Sequence, residues 1–74
     1  MEAREVQISG QMIRLGQLLK FAGIADSGDE AKALLAEGIV RVNGDSESRR
    51  GRQLHQDDLV EVGGERLRVI CSER

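Results

Sequence analysis

The chain has 74 residues, a formal net charge of −2 and 32% charged residues, which leaves room for one domain with a small core and argues against indiscriminate electrostatic binding to nucleic acid. One Phe and no Trp or Tyr oblige that core to be built from Leu, Ile, Val and Ala, and deny the chain the aromatic platforms on which a single-strand binder stacks successive bases. A lone cysteine, Cys71, excludes an internal disulfide and fits a reducing compartment; MEAREVQIS holds no apolar run long enough for a signal peptide and no segment suffices to span a bilayer, so the cytoplasm is the expected location.

Arg4 to Ser9 alternates, with Val6 and Ile8 on one side and Glu5 and Gln7 on the other, which predicts a short edge strand. Leu15, Leu18, Leu19 and Ala22 then recur at helical spacing, and Gly23 ends this first, two-turn helix. The second helix starts at Ser27, three residues before Glu30, in the arrangement of a capping box. Asp29 and Glu30 complement the helix dipole, Ala31, Leu34 and Leu35 form the apolar stripe, and Gly38 closes the helix.

Ile39 to Val42 reads as a strand running into the turn pair Asn43-Gly44. Asp45 to Ser48 are poor strand formers and, with Arg49 to Gln53, predict a loop or short irregular strand. Leu59 to Val62, Gly63-Gly64 and Glu65 to Ile70 predict a hairpin with Val60, Val62, Leu67 and Val69 facing inward and Glu61, Arg66 and Arg68 facing water. The expected fold is therefore α+β: two short helices packed on a small, mostly antiparallel sheet, as one domain over 1–74.

Charge is unevenly spread. Between Arg41 and Arg52 four arginines (Arg41, Arg49, Arg50, Arg52) face only Asp45 and Glu47, whereas Asp57, Asp58, Glu61 and Glu65 form an acidic stretch. Guanidinium groups are planar, permanently charged forks suited to phosphate oxygens. Gathered beside a tight turn, they mark a candidate phosphate-binding surface, and Gly51 allows the backbone there to approach a ligand closely.

Leu18-Leu19, Gly23, Ser27, Ala31, Leu34-Leu35, Gly38, Val40 and Val42-Asn43-Gly44, with Asp26-Ser27-Gly28, Ala31-Lys32 and Arg49-Arg50-Gly51-Arg52, carry a resemblance. The chain resembles the RNA-binding domain first seen in the fourth protein of the small ribosomal subunit, whose helix-helix-strand piece is the αL motif. It looks closer still to small bacterial proteins consisting of that domain alone. The resemblance covers about residues 13–62 and implies a non-enzymatic protein that docks structured RNA, ribosomal or transfer, through a Lys/Arg face. Carried onto this chain, the contacts it implies are Lys20, Lys32, Arg41, Asn43, Arg49, Arg50 and Arg52. Larger members of the family often carry a basic residue directly after the serine that starts the second helix. Here Gly28 stands in that place, followed by two carboxylates that repel phosphate, so either the RNA approaches nearer Lys32 or the affinity is modest.

Each of these residues also has a plainer role. Lys20 and Lys32 can cover the core with their stems, Arg41 can pair across strands, and Asn43 suits a type I′ turn. His55 lacks partners for a metal site or a catalytic set, and Gly63-Gly64 lacks the GK[ST] of a phosphate loop. No cofactor, metal, membrane or small-molecule substrate is expected, and a monomer is. The rival function is a protein-interaction adaptor working through the acidic 57–65 segment. A helix-turn-helix DNA reader would need donors where Asp29 and Glu30 stand. If the arginine rim is solvated, replacing Arg49, Arg50 and Arg52 together should abolish RNA binding and leave thermal stability nearly unchanged.

Overall fold

A computed structural model of the chain describes residues 3–72. Strand β1 (Arg4–Ser9) is followed by β2 (Ile13–Arg14), helices α1 (Leu15–Phe21) and α2 (Gly28–Ala36), β3 (Val40–Val42), β4 (Asp45–Ser46), β5 (Gln53–Leu54), β6 (Leu59–Val62) and β7 (Glu65–Ser72). The main sheet has the order β1-β7-β6-β3-β4, and β2 and β5 form a second, two-stranded sheet. Every pairing is antiparallel except β1 with β7. The α+β architecture expected from the sequence is thus present, with β1 at the sheet edge.

Alternation decides which face is buried. Val6, Ile8, Val40, Val42, Val60, Val62, Leu67 and Val69 turn to one side, where Leu15, Leu18 and Leu19 of α1 and Ala31 and Leu35 of α2 complete a single core. Arg41, Glu61, Arg66, Arg68 and Glu5 stand on the other side. There Arg66 Nε donates to Glu61 at 3.1 Å and Arg68 Nη2 to Glu5 at 2.7 Å. Those groups therefore meet water as ion pairs rather than as solitary charges.

Local chemistry sets the element ends. Gly23 and Gly38 take positive φ just past the two helices, the conformation that glycine adopts without a Cβ penalty. Ser27 Oγ accepts the Glu30 amide at 3.1 Å. The Glu30 carboxylate, however, receives the amide of Asp26 rather than that of Ser27, so the capping box closes one residue earlier than its standard form. At the start of α1 the Gln17 side chain accepts the Arg14 amide at 3.2 Å, but no residue stands in the place of Ser27. The first amides of α1, Leu15 N and Gly16 N, donate instead to the carbonyls of Arg52 (2.8 Å) and Arg50 (3.0 Å). The loop before β5 supplies from a distance the acceptors a helix N-terminus lacks.

Two turns follow the sequence closely. Asn43 and Gly44 have φ of 52° and 89°, and Gly63 and Gly64 have 52° and 92°, both pairs in the conformation of a type I′ hairpin. Three features exceed the sequence expectation. β7 runs on to Ser72 because its last residues pair with Ile8 and Ser9 of β1. The segment read as a loop or short irregular strand holds the two-residue strand β4 and, after a loop, leads into the two-residue β5. Leu54, outside every predicted element, is fully buried.

Candidate nucleic-acid interface

The loop between β4 and β5 carries three of the predicted arginines, and Glu47 organises it. This carboxylate is 7% exposed. It accepts the amides of Ser48 and Arg49 at 3.1 and 3.0 Å. It also accepts Arg49 Nε and Nη2 at 3.0 and 3.2 Å and Arg52 Nη1 at 2.9 Å. The Arg49 side-chain bond, then the Arg49 amide, then the Arg52 bond hold the Glu47 pKa down at about 2 against the opposing effect of burial.

Arg49 and Arg52 therefore share one buried acid, although the Arg49 side chain stays 74% exposed, and the expectation that the three arginines form a rim of free cations is corrected for these two. They serve the fold as well, so replacing all three would cost stability along with any ligand. Both arginines still line an open hollow with His55 and Asp58.

Arg50 behaves differently. Its side chain lies over Gly16, where an added Cβ would stand 3.1 Å from Arg50 Cγ. Glycine at 16 thus admits the loop to the helix surface. Between α1, the start of α2 and this loop opens a cleft of about 320 Å³, lined by Arg14, Gln17, Lys20, Gly28, Arg50 and Gly51 among others. Gln17 and Lys20 stand three residues apart on one face of α1, and Arg14, the extended residue just before the helix, borders the same cleft. No ion pair among the described residues involves Arg14, Lys20 or Arg50. Three uncompensated cations around a cleft are suited to anionic oxygens spaced along a backbone.

The other predicted residues lie elsewhere. Lys32 is exposed on α2, one residue past the cleft-lining Ala31 and so about 100° round the helix. Arg41 stands on the far face of the main sheet, in register with Glu61 and Ser46, with the core between it and the cleft. Asn43 is built into the fold. Its Oδ1 accepts the Leu59 amide at 2.9 Å and its Nδ2 donates to Asp58 Oδ1 at 3.0 Å. Asn43→Ala should therefore cost about 2 kcal/mol, from two lost hydrogen bonds and a positive φ. A thermal melt followed by circular dichroism should show a fall of roughly 10 °C, of which Asn43→Gly should recover the backbone part.

Sequence reading missed Arg14. Its signal was the 14-17-20 spacing of polar residues across the start of the first helix. The acidic stretch is spent internally in part: Asp58 also accepts the His55 amide at 2.8 Å and Glu61 holds Arg66, whereas Asp57 and Glu65 stay exposed, 4.0 Å from Arg68 and Arg4. Among the described residues no group of three or more His, Cys, Asp or Glu is arranged to hold a metal, and no helix is long and apolar enough to cross a membrane.

The chain is similar to known proteins. The profile of the S4 domain matches residues 6–70. The "Probable ribosome maturation protein RlbA" of Bacillus subtilis (strain 168) is 45% identical over 62 residues, which cover 84% of this chain and 87% of that protein. The "Putative RNA-binding protein YbcJ" of Escherichia coli (strain K12) is 34% identical over 59 residues, 80% of this chain and 84% of that one. Among solved structures, the 30S ribosomal protein S4e from Thermoplasma acidophilum superposes with a TM-score of 0.60 at 27% identity over 78% of this chain. This chain spans 31% of that protein's length. Helix pair, sheet and sequence agree, and the chain belongs to the S4 domain family.

Proposed function

We propose that this protein is a non-enzymatic RNA-binding module that docks folded ribosomal RNA with the cleft between α1 and the Arg50 loop. One observation carries the reading: in a chain of net charge −2, Arg14, Lys20 and Arg50 border one cleft and are left without acidic partners among the described residues. The names of the relatives, one a ribosome maturation protein and one an RNA-binding protein, support RNA as the ligand class, and the ribosomal protein S4e favours ribosomal RNA. Phosphate oxygens take up the cations, and the contour of the helix or junction selects the site. The adaptor alternative loses support because two of the four 57–65 carboxylates, Asp58 and Glu61, are engaged within the fold.

A fluorescence titration against a ribosomal RNA junction at increasing potassium chloride tests the proposal. With three phosphates neutralised, log K should fall against log salt with a slope of roughly −2 to −3. Arg50→Ala should weaken binding several-fold and flatten the slope by about one unit. A salt-independent association, or an Arg50→Ala protein that binds like its parent, would remove the cleft from consideration.

A further inference from the structure

The cationic cleft does not end at Gln17. That side chain also borders a shallower groove of about 750 Å³, which continues along the free edge of β1 and includes Gln7, Ser9, Met12, Phe21 and Ser72. Phe21 is the chain's one aromatic residue, and it is 62% exposed, with Met12 also open to water. An exposed phenyl ring at the end of α1 adds nothing to a core it does not enter. No charged side chain lines this groove. Its walls offer a flat ring and a thioether for contact, and amides and hydroxyls that both donate and accept.

That combination matches a nucleobase, whose faces are apolar and whose edges carry donors and acceptors, better than it matches a phosphate. We propose that the groove holds one unpaired base of the RNA, stacked on Phe21, while the adjoining cleft holds the phosphates of the flanking helix. This rests on the RNA-binding reading above and narrows it. The ligand is a folded RNA that presents an extruded nucleotide beside paired phosphates. One ring fits one base; continuous single strands need a row of them. The shared Gln17 places base and phosphate sites side by side on α1, as consecutive parts of one nucleotide chain require.

The test uses the full chain and two probes, a short RNA duplex with a single bulged 2-aminopurine and the same duplex fully paired. The bulged RNA should bind about ten-fold tighter, with quenching of the 2-aminopurine on stacking. Phe21→Ala should erase both the preference and the quenching, and leave the melting temperature and the affinity for the paired duplex as they were. Phe21→Tyr should restore them. Arg50→Ala should weaken both RNAs alike.

If Arg50→Ala weakens both RNAs while Phe21→Ala changes neither, the stacked base is refuted and the RNA-binding reading stands. If neither RNA binds, both fall. If sedimentation reveals a dimer that Phe21→Ala dissolves, the groove belongs to a second copy of the chain, and the proposal is overturned in favour of self-association.

Discussion

Replacing Leu54 with alanine will remove most of the folding free energy of this domain. Leu54 sits in a strand of two residues, yet it is 0% exposed and belongs to the same core as the helix leucines and the sheet valines. Truncating a fully buried leucine costs about 2–5 kcal/mol, from lost transfer energy and the cavity left behind. A domain of this length commands only about 5 kcal/mol in total. Urea denaturation should give a midpoint lowered by half or more at unchanged slope. The consequence extends to the interface, because β5 follows the arginine loop directly and its partner β2 leads into α1. A protein that loses β5 loses the two carbonyls that cap α1, and the cleft between them. A midpoint shift equivalent to less than about 1 kcal/mol would mean that the small second sheet is an appendage rather than part of the core.

Glu47→Gln should lower stability by about 2 kcal/mol and weaken RNA binding several-fold, although it makes the protein less negative. Charge counting alone gives the opposite sign, since removing a carboxylate near phosphates should help. The loop geometry decides the matter. Glu47 gathers two amides and two guanidinium groups onto one buried carboxylate, and this fixes the segment whose Arg50 faces the cleft. An amide side chain has one acceptor oxygen and no charge, so it cannot serve all of them.

The pH dependence follows with a definite sign. The folded pKa of Glu47 is about 2 against an ordinary 4.5. The stabilisation is thus fully present above about pH 4.5 and is lost as pH falls towards 2. The parent should lose melting temperature over that window, and Glu47→Gln should show a flatter profile there. Identical acid profiles for the two proteins would show that the carboxylate adds no stability. An affinity gain in Glu47→Gln would show that it competes with RNA for Arg49 and Arg52 instead of organising the loop.

The helices, their glycine ends, both type I′ turns and the inward face of the hairpin were legible because each rests on neighbouring residues. Leucines recur every third or fourth position, Ser27 stands three before Glu30, and Asn43-Gly44 and Gly63-Gly64 tolerate positive φ wherever they occur. The candidate site was legible only in part. Lys20 and Arg50 were named and meet at the cleft, while Arg14 was not. Arg41, between Val40 and Val42 on the other face of its strand, proves to lie across the sheet from that cleft. Asn43 spends its amide on Leu59 and Asp58, fifteen and more positions away, a demand that no local pattern announces.

The sequence by itself determined the two helices, the valine-faced sheet and a concentration of arginine in a chain otherwise poor in net positive charge, since periodicity, caps and turns act within a few residues. Only the tertiary structure decided what those arginines are for. One buried acid claims Arg49 and Arg52, and Gly16 lets Arg50 fold over α1 beside Arg14 and Lys20. Pairing of charges depends on distance in space, and folding brings residues 14–20 and 47–52 together.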